Sequence, residues 1–191
     1  MKIVFEYIKY RWNANTLHGI HSPFVFNFMK EGMKTYPNDK DLNIIQNFAL
    51  KQNSNKTLQV EDHGAKSKKL KTQRSVNQIF KTSSSFGSQG LLLFRICNHF
   101  KPKKILELGT SLGMGSLYMH LGNPTSELIS IEGCPETYSM AKENLKPYPI
   151  ALIKNTFKNV IQSFSEEKFD LVFIDGHHDG KALIEYLDAL S

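Results

Sequence analysis

Asp175, Gly176, His177 and His178 follow one another directly after the apolar run 170–174. A carboxylate beside imidazoles that titrate near neutrality can take up a proton or hold a ligand in place. A second acid, Glu107, sits inside the apolar run 104–108, where a charge needs a reason. Directly behind it comes Gly109-Thr110-Ser111-Leu112-Gly113-Met114-Gly115, a glycine-rich turn that lets backbone approach a ligand closely. A third acid, Glu132, closes another apolar run 23 residues after Gly109. These acids and the glycine turn are the positions in the chain best suited to chemistry.

The elements around them decide how they can meet. From residue 104 onward, short apolar runs at 104–108, 128–132, 150–153 and 170–174 read as buried parallel strands. Between and after them, 115–121, 136–145, 157–164 and 181–190 have helical length and pattern. This order predicts an α/β fold, a doubly wound parallel sheet whose strand ends open onto one crevice. The acids and the glycine turn all fall at or beside those ends. Residues 1–87 read instead as a mainly helical N-terminal extension, and 88–191 as the sheet domain. The extension's expected helices cover residues 3–11, 24–33 (entered through Ser22 and Pro23), 42–50 and 67–81, with polar or Ser/Gly-rich loops at 53–56 and 82–87. Another helix is expected at 88–100. Ser191 follows the last helix at once, which leaves the apolar run 170–174 near a sheet edge. The expectation is therefore a sheet domain lacking its C-terminal strands.

The glycine spacing is G-x-x-x-G-x-G, not the G-x-G-x-x-G that seats a dinucleotide's pyrophosphate. Glu107 would repel a pyrophosphate, and suits a ligand with cationic groups. Glu132 lies where a carboxylate can accept both hydroxyl protons of a ribose. The stretch 107–115, followed by Ile131-Glu132, resembles the cofactor motifs of class I S-adenosylmethionine-dependent methyltransferases, whose fold is Rossmann-like. Gly109-Thr110-Ser111 and the later 169–176 resemble the branch acting on oxygen atoms of small molecules. The resemblance covers about half the chain.

It implies that Glu107, Gly109, Thr110, Ser111 and Gly113 line the methionine end of S-adenosylmethionine. It places Glu132, Gly133 and Cys134 at the ribose and the neighbouring adenine edge, and Asn155 and Thr156 beside the adenine. Asn155 departs from the acid often found there. Asp175 and His178 are the implied catalytic pair, with Asp175 also reaching the cofactor. In metal-dependent relatives a carboxylate matching Asp175 helps to hold a divalent cation and a lysine stands where His178 is; no metal is assigned here. His18 and His21 form H-x-x-H, a spacing that without further ligands favours a hydrogen-bonded turn over zinc.

Composition bounds the setting. Hydrophobic residues make up 40% and charged residues 22%, ordinary for a globular protein. Residues 1–102 carry 16 Lys and Arg against 6 Asp and Glu, while 103–191 carry 8 against 12. The basic front half, densest at Lys66, Lys68, Lys69, Lys71 and Arg74, leaves RNA open as a partner beside a small-molecule methyl acceptor. No run is long enough to span a bilayer, and Cys97 and Cys134 are too few for a disulfide framework, so a cytoplasmic protein without a membrane partner is expected. A homo-oligomer is left open.

Two other functions compete. Gly109-Thr110-Ser111-Leu112-Gly113 also fits G-x-S-x-G, the nucleophile elbow of α/β-hydrolases, with Ser111 as nucleophile. Asp175 and His178 are too close together to serve as its separate acid and base. The other competitor is a catalytically degenerate module that keeps cofactor or RNA binding.

Overall fold

The computed structural model describes residues 2–13, 19–61, 73–176 and 180–190. The chain divides into two compact units, Met1–Thr35 and Tyr36–Ser191. The first holds helices α1 (Lys2–Asn13) and α2 (Pro23–Lys30) and a 3-10 turn at Gly32–Lys34. As the sequence predicts, Ser22 caps α2, its hydroxyl accepting from the Val25 N–H at 3.4 Å, and Pro23 occupies the first turn.

The second unit is built on four parallel strands, β3 (Lys104–Leu108), β4 (Glu127–Glu132), β5 (Ile150–Lys154) and β6 (Leu171–Ile174), in the order β5-β4-β3-β6. The chain leaves β3 for β4 and β5 on one side, then returns to add β6 on the other. The order therefore reverses at β3, and a crevice opens at the carboxyl ends of β3, β4 and β6. Residues 105–108 of β3 are all buried, which explains their unbroken apolar pattern apart from Glu107.

Helices α5 (Ser88–Phe100) and α6 (Met114–Gly122) contribute Leu93, Phe94, Cys97, Met114, Leu117 and Met119 to one buried cluster, which also holds Ile105 and Leu128. Ile45 and Phe48 of α3 (Asp39–Lys51) belong to the same cluster. Leu106, Leu108, Ile129 and Ile131 lie in a second cluster with Val160, Ile161, Phe164 and Tyr186, the last from α9 (Gly180–Leu190). Side chains of a strand alternate between faces, so Glu107 shares the face of Ile105, toward α5 and α6. The α5–α6 contact is close. A Cβ on Gly90 would stand 2.2 Å from the Tyr118 ring and 2.5 Å from the Ser85 carbonyl.

Two expectations are corrected. The helix expected over 67–81 is α4 (Val76–Ser83), and Gln73–Ser75 instead forms strand β2, antiparallel to β1 (Thr57–Gln59). Ser75 sets that boundary with a reciprocal cap: its hydroxyl accepts from the Gln78 N–H at 3.2 Å, and the Gln78 side-chain oxygen accepts from the Ser75 N–H at 3.0 Å. Residues 67–72, like Lys66 before them, lie outside the described residues. The helix expected over 157–164 is a short α8 (Phe157–Val160) that tightens into a 3-10 turn at Ile161–Phe164. Helix α7 (Pro135–Leu145) starts at Pro135 as an N1 proline. Among the described residues no helix is long and apolar enough to cross a membrane.

Candidate active site

The turn after β3 is held open by left-handed backbone at three of its five residues: Gly109 (φ 111°), Ser111 (φ 51°) and Gly113 (φ 93°). Its first two N–H groups, of Gly109 and Thr110, donate to the Ile131 carbonyl at 2.9 and 3.2 Å. The Asp175 N–H donates to the Leu108 carbonyl at 2.9 Å, so the ends of β4 and β6 are both stitched to β3. A Cβ on Gly109 would lie 2.9 Å from the Asp175 carbonyl carbon. Only glycine fits this approach, and it leaves bare backbone at the crevice floor. Gly113 begins α6, and a Cβ there would meet Leu145 at 2.8 Å.

Glu132 lies at the end of β4. Its two carboxylate oxygens accept from separate loops, Oε2 from the Ser111 N–H at 2.7 Å and Oε1 from the Cys134 N–H at 2.9 Å. Those bonds aim the carboxylate at the glycine turn and fix the positive-φ geometry of Ser111. Half-buried Gly133 links Glu132 to Cys134. Cys134 itself is buried, its thiol 3.3 Å from the Gln59 carbonyl of β1. The Asn155 N–H donates to the Glu132 carbonyl at 3.1 Å, and the Asn155 side-chain oxygen accepts from the Thr156 N–H at 2.9 Å. Thr156 then begins α8. Glu132, Gly133, Cys134, Asn155 and Thr156 thus converge along the β4–β5 side of the crevice.

Glu107 lies beneath the turn. It is 1% exposed, and its Oε2 accepts from the hydroxyls of Ser116 on α6 and Ser130 on β4. Ser130 also stands 2.6 Å from the Thr110 hydroxyl, which carries the network up into the glycine turn. Gly115 leaves room for the carboxyl, since a Cβ there would lie 2.6 Å from Glu107 Oε1. Burial pushes the Glu107 carboxyl up to about 7; the two serine hydroxyls pull it down, and the charges of Asp175 and Glu132 add to the rise.

Asp175, at the end of β6, is exposed, and its Oδ2 accepts from the Ser85 hydroxyl at 2.9 Å. Ser85 is buried and belongs to the segment between α4 and α5, 90 residues away in sequence. His178, its neighbour His177 and His18 lie outside the described residues. Among the described residues no group of three or more His, Cys, Asp or Glu side chains is placed to hold a metal. Sequence reasoning missed Ser85, Ser116 and Ser130. A serine inside the apolar run 128–132 was the available signal for Ser130, while Ser85 was hidden in a stretch that reads as a loop.

Residues 106–191 match the family model described as a methyltransferase domain. Among solved structures, the methyltransferase PaMTH1 of Podospora anserina, crystallised with SAH, is similar at 20% identity with a TM-score of 0.54, over 93% of this chain and 70% of that one. An O-methyltransferase from Bacillus cereus in complex with SAH matches at 15% identity and TM-score 0.56, over 85% and 67%. Cofactor-bound Rv0187 from MTB matches at 16% and 0.53, over 91% and 70%. At such identities the likeness is one of fold: the same Rossmann-like sheet flanked by helices. The match to a methyltransferase domain over the same glycine turn gives the hydrolase reading no support. Glycine turn, the carboxylate at the end of β4 and sheet order all agree with this similarity, and residues 106–191 resemble a methyltransferase domain on a Rossmann-like fold.

Proposed function

We propose that the domain methylates an oxygen of a small molecule, with Glu132 and Asp175 as the two acidic walls of the reaction crevice. The observation that carries this reading is their placement at the ends of β4 and β6, on either side of the bare Gly109 backbone. The donor set fits the cofactor. Glu132 is oriented by the Ser111 and Cys134 N–H groups, and its carboxylate oxygens are acceptors of the kind that two ribose hydroxyls need. Gly109, Thr110, Ser111 and Gly113 would border the methionine portion, with Gly133, Cys134, Asn155 and Thr156 toward the adenine. Glu107 supports this lining from below, through Ser130 and Thr110. S-adenosylmethionine, when bound, supplies a methyl group made electrophilic by its sulfonium.

This chain's own residues then have two tasks, alignment and proton removal. Asp175, steadied by the Ser85 hydroxyl, orients the acceptor at the carboxyl end of β6. His178, three residues further on, takes the hydroxyl proton as general base. Calorimetry with SAH, and NAD as a control, tests the cofactor site; NAD binding in preference to SAH would refute it. A screen for SAH release over hydroxylated small molecules then finds the acceptor. With it, His178→Ala should lower turnover by roughly 10²–10⁴-fold while leaving SAH affinity intact. Full turnover in that variant would remove His178 from the mechanism.

A further inference from the structure

A cavity of about 850 Å³ lies between α3, α4 and the segment that joins α4 to α5. Pockets that take small molecules commonly fall in this size range and pair apolar walls with a few polar groups. Ala49, Leu50, Phe80 and Phe86 give this one its apolar wall, with the two phenyl rings 5.2 Å apart and tilted at 47°. Among the described residues Lys81 is the one charged side chain that lines it, and no acid does. Ser84 lines it too, and among the described residues its hydroxyl is the buried side-chain oxygen that makes no hydrogen bond. Such an oxygen is costly to bury alone and is satisfied by a bound polar group.

The cavity is distinct from the methyl-transfer crevice, yet shares a wall with it. Ser84 has extended backbone (φ −114°, ψ 134°) and lines the cavity, while the next residue, Ser85, bonds Asp175. Consecutive residues of one segment thus serve two sites, back to back.

We infer that this cavity binds a small amphipathic anion: an apolar body seated against Phe80, Phe86 and Leu50, with a carboxylate or sulfonate directed to Lys81 and the Ser84 hydroxyl. The charge of Lys81, unopposed by any acid in the lining, sets the sign of the ligand. The aromatic pair favours a flat body.

The test is a fluorescence titration of the full chain with pyrene-1-butyrate, with pyrene-1-butanol as its uncharged counterpart. The anion should bind saturably and about three- to fivefold tighter than the alcohol, the gain expected of an exposed ion pair. Lys81→Gln should abolish that preference. Ala49→Trp should crowd the cavity beside its apolar wall and weaken both probes by about tenfold or more, with unchanged thermal unfolding showing that the variant is folded. Saturating SAH should leave the probe bound. Equal binding of anion and alcohol would overturn the inference, as would titrations indifferent to both substitutions. Full displacement by SAH would also overturn it, because the probe would then be in the cofactor crevice. None of these outcomes depends on turnover, so the failure of this site and the failure of the methyl-transfer reading are distinguishable.

Discussion

Replacing Glu107 by Gln should change how stability depends on pH. In the native protein burial raises this carboxyl from its ordinary value of 4.5 to about 7. Below pH 4.5 it is protonated in both native and unfolded states. Between 4.5 and 7 the unfolded chain gives up the proton while the native state keeps it. The unfolded state is then favoured by about 1.4 kcal/mol for each pH unit. Stability that is fully present below 4.5 is thus lost as pH rises, and the loss reaches about 3 kcal/mol at pH 7, beyond which this group adds no more. The side chain is fully buried, so solvent screening takes little from that figure. Glutamine has the same shape, keeps an oxygen to accept from Ser116 and Ser130, and has no proton to lose. Urea unfolding of both proteins at several pH values from 4.5 to 8.5 measures the effect. The stability of Glu107→Gln relative to the native protein should rise by about 3 kcal/mol across that range. Curves that run parallel would refute the argument, and would mean that the Glu107 carboxyl ionises as readily in the fold as in the unfolded chain.

Other perturbations follow from the same geometry. Glu132→Ala should weaken SAH binding by about 1–3 kcal/mol in calorimetry, the range for hydrogen bonds to a charged group; unchanged affinity would make Glu132 purely a brace for the Ser111 and Cys134 N–H groups. Gly90→Ala should destabilise the fold by about 1–3 kcal/mol in denaturant melts, because its methyl would overlap the Tyr118 ring and the Ser85 carbonyl. Wild-type stability there would mean that α5 can shift on α6 without cost. Cys97 is fully buried, its thiol pushed up to about 12 by that burial and then by the charge of Glu107. Iodoacetamide at pH 8 should therefore spare it in the native state and modify it in urea, as read by mass spectrometry; equal rates would contradict its placement.

The sheet was legible because buried parallel strands are written as nearly pure apolar runs. The runs at 104–108, 128–132, 150–153 and 170–174 correspond to strands within one residue at each end. The glycine turn was legible for a related reason: positive φ at Gly109 and Gly113 restricts those positions to glycine. Ser111 adopts the same left-handed region without being glycine, and only its bond to Glu132 accounts for it. The β1–β2 pair escaped notice because three-residue strands such as Thr57–Gln59 carry too little alternation to stand out from a loop. Ser85 escaped because its partner lies 90 residues away, and local patterning holds no record of contacts at that range.

The reversal of strand order at β3 also orders events in time. Glu107 meets Ser130 across 23 residues, whereas Lys104 meets Asp170 across 66, so the two flanks of β3 carry different loop-closure costs. During synthesis β4 can pair with β3 well before β6 leaves the ribosome. The β4 side of the crevice, around Glu132, can therefore assemble before the Asp175 edge closes. A nascent chain that has reached β5 has its glycine turn but lacks the Asp175 backbone against which Gly109 packs, so the crevice stays incomplete until β6 is added.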